Sequence, residues 1–216
     1  SLINRVDVAS LMMAHDKQMS GKATGIDRIT KVEYGENLIP NLKDLIGRMK
    51  ACKYIPQPVR RVYIPKANGK LRPLGIPAYE DRLVQSVMAD ILNEVYEPRF
   101  LDCSYGFRPN RSAHDVVRFI NEKVMHGNFK WVVEADIKGF FDNVNHKTLT
   151  MFLANDISDP NFLRYVARFL KAGVMDGTEL LDSDKGTPQG GLISPVLANV
   201  YLHYVLDLWV EKRVKK

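Results

Sequence analysis

Two hydrophobic periodicities alternate along this chain, in an order that no repeating β-α-β unit produces. The strongest helical stripe covers about 79–95, where Leu83, Val84, Val87, Met88, Ile91, Leu92 and Val95 recur at helical spacing and Pro98 marks the end. Just before it the character is different. Val59–Pro65 and Leu71–Ile76 are short and strand-like, and Lys66-Ala67-Asn68-Gly69-Lys70 between them holds the Asn-Gly pair that a tight hairpin turn favours. Helical stripes are also expected over 2–18 (Leu2, Val6, Ala9, Met13) and 31–52 (Leu38, Leu42, Leu45, Ile46, Met49). Others run from a capping box at Ser112 to Gly127, over 146–154 behind Asn145, from Asp159-Pro160 to Gly173, and over 195–213. A strand is expected at Lys130–Ile137 and a hairpin near Asp176-Gly177. Strands, paired helices and hairpins in this mixed order predict an α+β fold with an antiparallel sheet and packed helices.

Composition narrows the partners. With 216 residues and 45% hydrophobic content the chain can bury a sizeable core. Its 31 basic against 25 acidic residues give a formal charge of +6, which favours a polyanionic partner without identifying one. No apolar run approaches the ~18 residues of a membrane span, and the N-terminal stretch is polar and amphipathic rather than a signal peptide. Cys52 and Cys103 lie far apart with no metal-type spacing, so buried reduced thiols of a cytosolic protein are expected rather than a disulfide.

Three places carry candidate chemistry. The hairpin is basic, with Arg60, Arg61, Lys66, Lys70 and Arg72; this suits an anionic ligand, or equally a solvated edge that resists aggregation. Ser104-Tyr105-Gly106-Phe107-Arg108-Pro109-Asn110-Arg111 interleaves aromatic and basic residues, which suits phosphates and stacked bases, or ordinary loop packing. In the strand ending at Ile137, Trp131, Val133, Ala135 and Ile137 share one face and Val132, Glu134 and Asp136 the other. Asp136, beside a glycine-containing turn, can hold a hard cation together with the Ile137 carbonyl, or can simply cap the turn.

Taken together, several segments resemble the reverse transcriptases of bacterial group II introns, the intron-encoded maturases. They are Thr24-Gly25-Ile26-Asp27, Arg60-Arg61-Val62-Tyr63-Ile64-Pro65-Lys66, Arg72-Pro73-Leu74-Gly75-Ile76-Pro77, Asp81-Arg82 and Ser104-Tyr105-Gly106-Phe107-Arg108-Pro109. Ala135-Asp136-Ile137-Lys138-Gly139-Phe140-Phe141-Asp142 and Gly186-Thr187-Pro188-Gln189-Gly190-Gly191 complete the set, in the family's order. The resemblance implies a right-hand polymerase: an N-terminal extension and start of fingers over 1–55, fingers over 56–129, and a partial palm over 130–216. It implies that Asp136 is the first catalytic aspartate and a ligand, with the Ile137 carbonyl, for Mg2+ in two-metal nucleotidyl transfer. Lys66 and Arg72 would grip the triphosphate, Phe141 would lie under the incoming sugar and exclude a ribose, and Gln189 with its glycines would pack on the nucleotide and the template-primer pair. Phe140 is expected in the core and Asp142 in a structural role in the turn.

The same resemblance implies partners: intron RNA, an RNA template with a DNA primer, and deoxynucleoside triphosphates, in a bacterial cytoplasm. Arg60, Arg61, Arg108, Arg111, Lys17 and Lys22 are the expected RNA contacts, joined by Lys43, Arg48, Lys50 and Lys53; Arg108 and Arg111 could equally order their own loop. His114 and His146 are expected to be solvated or capping. The family's tyrosine-alanine-aspartate-aspartate motif is not in this sequence, so the chain is expected to be a truncated palm, inactive alone, that can pair as a homodimer through exposed apolar surface. A non-catalytic RNA-binding splicing scaffold and a retron-lineage enzyme are the alternatives; Thr24-Gly25-Ile26-Asp27 favours the intron lineage.

Overall fold

The computed structural model describes residues 1–65, 69–127, 131–181, 184–187 and 190–214. Its centre is α4 (Tyr79–Tyr96), whose Leu83, Met88 and Leu92 are fully buried. Two other helices frame one side: α1 (Val8–Lys17) packs on α4 and on α3 (Leu38–Lys50). On the other side α7 (His146–Asp156) packs on α8 (Pro160–Leu170) and on α9 (Ser194–Leu202), and α9 also meets α4. One continuous apolar core therefore runs from Val6 to Val200.

Local chemistry sets where these helices begin. Asp7 and Ser10 form a reciprocal capping box (2.8 and 3.0 Å), so α1 starts later than the expected 2–18, after a 3-10 turn at Ile3–Arg5. Its buried face is Leu11, Ala14 and His15, and Met13 is exposed. The single helix expected over 31–52 is two, α2 (Lys31–Glu36) and α3, broken at Asn37. Pro40 has no N–H to give and its ring crowds the carbonyl four residues back, so the helix cannot run through. Asn41 repairs part of the break by donating to the Tyr34 carbonyl at 3.0 Å. The predicted starts at Ser112, Asn145 and Asp159 are all present as side-chain caps.

The sheet has the order β2-β1-β3-β4 among the described residues. β1 (Val59–Pro65) and β2 (Leu71–Ile76) form the expected antiparallel hairpin, with Arg60 opposite Ile76 and Pro65 opposite Leu71. β3 (Val174–Asp176) and β4 (Glu179–Leu181) form the second, around Gly177. The two hairpins join through β1 and β3 in parallel, so the sheet is mixed rather than wholly antiparallel. The long connection between these strands, which includes α4 and α8, permits a parallel pairing that a tight turn forbids. Asp176 reinforces the joint by accepting from Tyr63 Oη at 2.6 Å and Arg61 at 3.3 Å.

The strand expected at Lys130–Ile137 is not formed: 131–137 is irregular and exposed, and Lys130 lies outside the described residues. A lone strand leaves its N–H and C=O groups without ladder partners, and none of the described strands lies beside this segment. α5 (Ala113–His126) likewise buries none of its residues and leaves Val117, Ile120 and Val124 exposed. Past α9 the last helix winds through π-helical turns at His203–Asp207 and Val210–Val214. The thiols are free but not buried, with Cys103 exposed and Cys52 half-buried. Among the described residues no helix is long and apolar enough to cross a membrane.

The Thr24-Gly25-Ile26-Asp27 segment clasps the start of α4. Asp27 accepts from the Tyr79 N–H at 2.6 Å, supplying the cap that Ala78 lacks. Arg60 donates to the Thr24 carbonyl at 3.0 Å, and Arg82 donates to that of Ala23. Gly25 packs so closely that a Cβ there would lie 2.4 Å from the Pro77 carbonyl oxygen. Gly25→Ala is therefore expected to cost ~1–3 kcal/mol by overpacking, read as a lower urea midpoint. A second prediction concerns Asp81, which is 2% exposed, bonded to the Tyr54 hydroxyl and accepts from the Gln57 N–H at 2.9 Å. Burial pushes its carboxyl up from 3.8 to about 6. The folded state then binds the extra proton between those values, so this group's contribution falls as pH rises from 3.8 to about 6, by ~3 kcal/mol. Asp81→Asn should flatten that segment of a stability-versus-pH curve, and an unchanged slope would contradict the assignment.

Candidate functional site

Gly139, in the left-handed region at φ 62°, turns the chain into the short helix α6 (Phe140–Asn143). Asn143 Nδ2 closes the turn on the Gly139 carbonyl at 2.8 Å, and Asn145 caps α7 by accepting from the Thr148 N–H at 2.9 Å. Phe140 packs toward the core, its ring 6.0 Å from that of Tyr201 on α9. Phe141 is half-buried, edge-on to Phe140 at 5.6 Å. Asp142 is exposed in the same turn.

A second segment, distant in sequence, docks on this turn through its backbone. Gly186 N–H donates to the Val144 carbonyl and Thr187 N–H to the Phe141 carbonyl, both at 2.7 Å. The Gly186 carbonyl meets His146 Nε2 at 2.5 Å, which requires the tautomer carrying its proton on Nε2. Gly186 has φ 86°, and a Cβ on it would lie 2.8 Å from the Phe141 carbonyl oxygen. Farther along, Gly190 at φ 108° lies against β2, where a Cβ would stand 2.2 Å from the Gly75 carbonyl oxygen. The glycines of this motif thus permit close approach to the protein's own backbone. The hairpin, the Phe141 turn and the 186–191 loop form one assembly.

Asp136 and Ile137 lie exposed just before that turn, outside any helix or strand. The Asp136 carboxylate and Ile137 carbonyl are hard oxygen donors of the kind Mg2+ takes. Among the described residues no three His, Cys, Asp or Glu side chains are grouped to hold a metal ion. On the hairpin, Arg72 is exposed. Lys66 and Gln189 lie outside the described residues.

Most of the other basic candidates are occupied. Arg108 is buried, donating to Glu97 and to the Leu101 and Ser104 carbonyls, and Arg111 holds Asp102. Of the two roles open to them in the sequence, the structure displays loop ordering. Arg60 and Arg61 are held by Thr24 and Asp176. Lys17 pairs with Asp90 in solvent at 2.9 Å, a pair worth little. Arg48 makes two 2.8 Å bonds to Glu80. Lys22, Lys43, Lys50 and Lys53 remain exposed. His114 is exposed at the start of α5, whereas His146 is a bridge between distant segments and not a solvated cap. Nothing in its spacing pointed to a partner at Gly186. The buried Thr187 hydroxyl, without a hydrogen-bond partner among the described residues, was equally invisible in the sequence.

This geometry has counterparts. A model of the reverse transcriptase (RNA-dependent DNA polymerase) family matches residues 64–215, and the chain belongs to that family. Several of the chain's relatives are intron-encoded proteins. It is 46% identical over 175 residues to the group II intron-encoded protein LtrA of Lactococcus lactis subsp. cremoris, a match covering 81% of this chain and 29% of that protein. It is 40% identical to protein YkfC of Escherichia coli K12, covering 89% of this chain and 52% of YkfC. The putative COX1/OXI3 intron 1 protein of Saccharomyces cerevisiae is 32% identical over 98% of the chain and 25% of its own length. The chain thus spans about half or less of these relatives. A solved structure, the partial Cas6-RT-Cas1–Cas2 complex, superposes with a TM-score of 0.60 over 99% of this chain and 35% of its own, at 19% identity, which speaks for the fold alone. Gly190→Ala is expected to undock the 186–191 loop from β2, and limited proteolysis should then cut within 184–191 faster than in the wild type.

Proposed function

We propose that this chain is the fingers and part of the palm of an RNA-directed DNA polymerase that serves a group II intron, binding intron RNA, assisting its splicing and copying RNA into DNA. The divisions are those expected from the sequence: an extension and start of fingers over 1–55, fingers over 56–129, and palm from 130. The observation that carries this reading is the docking of Gly186 and Thr187 on the Phe141 turn through two 2.7 Å backbone bonds, with Gly190 set against β2 of the hairpin.

In this reading the Asp136 carboxylate and the Ile137 carbonyl would hold Mg2+, and the ion would supply charge neutralisation for the transfer of a nucleotidyl group to a primer 3′-hydroxyl with pyrophosphate as the leaving group. Arg72, with Lys66, neutralises the triphosphate. Phe141, held by its bond to Thr187 and by Phe140, closes the space where a ribose 2′-hydroxyl would sit, so the substrate is a deoxynucleotide. Gln189 is a contact for the nucleotide in this reading. Intron RNA and the template-primer pair meet the exposed cations, with Lys22 the unencumbered one among those near the N-terminus. Two copies associate through the exposed face of α5 and 131–137, and the protein works in the bacterial cytoplasm.

Asp136→Asn in the parent protein should lower primer extension by several orders of magnitude while RNA affinity changes less than about threefold. Retained synthesis would rule out this carboxylate as a metal ligand. If the parent makes no DNA yet binds intron RNA, the non-catalytic scaffold is the correct reading. The 216-residue chain alone is expected to incorporate no deoxynucleotide.

A further inference from the structure

The loop over 104–111 is fixed on both sides of one residue. On the near side, Asn199 Nδ2 of α9 donates to the Gly106 carbonyl at 2.8 Å. On the far side, the buried Arg108 donates to the Leu101 and Ser104 carbonyls at 2.7 Å each and to Glu97 at 2.8 Å, and lies 5.3 Å from the Phe100 ring. Between these anchors Phe107 sits at φ 55° with its side chain 69% exposed. A left-handed backbone is an outlier for a bulky residue, and an exposed ring gains nothing from burial. Strain that surrounding structure over-determines in this way is characteristic of positions kept for a ligand.

The surroundings indicate which ligand. Tyr105, on the same loop, lies 6.5 Å from Phe119 of α5. The Arg111 guanidinium stands 5.1 Å from the Tyr105 ring and the Lys123 ammonium 5.5 Å from that of Phe119. Aromatic faces alternating with cations match the alternation of bases and phosphates in a single strand. A paired base in a duplex has both faces covered, so a protruding ring on a rigid loop suits an unpaired one. We propose that Phe107 is a stacking platform for an unpaired nucleobase of an RNA strand that crosses the 104–111 loop. The proposal rests on the reading that the chain binds RNA.

Two substitutions separate the ring from the backbone. Phe107→Gly removes the ring and accepts the positive φ without strain; Phe107→Trp retains a stacking face. Binding is measured by fluorescence anisotropy, using a short unstructured RNA that carries 2-aminopurine, across a salt series. Phe107→Gly should leave the melting temperature equal or higher, weaken binding about tenfold at every salt concentration, and abolish the 2-aminopurine stacking signal. The slope against salt should be unchanged, because phosphate contacts set it. Phe107→Trp should keep both affinity and signal. Wild-type affinity and signal in Phe107→Gly would overturn the proposal while leaving RNA binding intact. A sharply lowered melting temperature would overturn it too, by showing that the ring serves the fold. Absence of binding by the wild-type chain would sink both this inference and the RNA-binding reading.

Discussion

Two N–H groups, on Gly186 and Thr187, reach the carbonyls of Val144 and Phe141 across more than forty residues of chain, each at 2.7 Å. A backbone bond of this kind adds only about 1 kcal/mol net, but leaving either group buried and unpaired would cost more than that. Gly186 and Thr187 are therefore held in one place. The approach is possible because Gly186 and Gly190 carry no Cβ, which would otherwise overlap the Phe141 and Gly75 carbonyl oxygens. Since Gly75 belongs to β2, Gly190 extends the contact from the Phe141 turn to the hairpin. The positions of Phe141 and of the strand that carries Arg72 are thus linked through one segment.

That assembly needs a rigid support, and the helical core supplies it. Phe140 points into the core beside Tyr201, so its neighbour Phe141 is left half-buried at the site. His146 opens α7 and simultaneously holds Gly186, linking the loop to a helix packed on α8 and α9. On the opposite side Asp27 caps α4 and Arg60 bonds the Thr24 carbonyl, so the N-terminal motif secures both the central helix and β1. Many of the arginines serve this internal wiring. Arg48, Arg61 and Arg108 each hold a carboxylate, whereas Arg72 and Lys22, Lys43, Lys50 and Lys53 are exposed.

Where chemistry was local, the sequence was legible. Asn-Gly marked the hairpin, and Ser112, Asn145 and Asp159 marked helix starts, because a cap or a turn depends on residues three or four positions apart. The break at Asn37 was also local, but its cause, Pro40, lay inside a convincing apolar stripe. Long-range pairing was not legible: the parallel alignment of Val59 with Val174 is decided by packing across more than a hundred residues. The segment 131–137 alternates like a strand, yet alternation only says which side chains would share a face and not whether a neighbour is there to pair with. For the site, the order of the motifs brought out Asp136, Phe141 and Gly186–Gly191 as a group, while the His146 bridge and the commitment of Arg108 to its own loop needed the structure.

The proposed metal-centred chemistry at Asp136 sits in sequence just before the turn that Gly186 and Thr187 hold through two backbone bonds. Iron-mediated cleavage tests it directly: Fe2+ replaces Mg2+ in the parent protein with template, primer and deoxynucleotide bound, and peroxide then cuts the backbone near the ion. Cuts are expected to cluster at 136–141 and 186–191. Cuts clustered instead around Asp27 or Asp81 of the helical core, with none near Asp136, would contradict it.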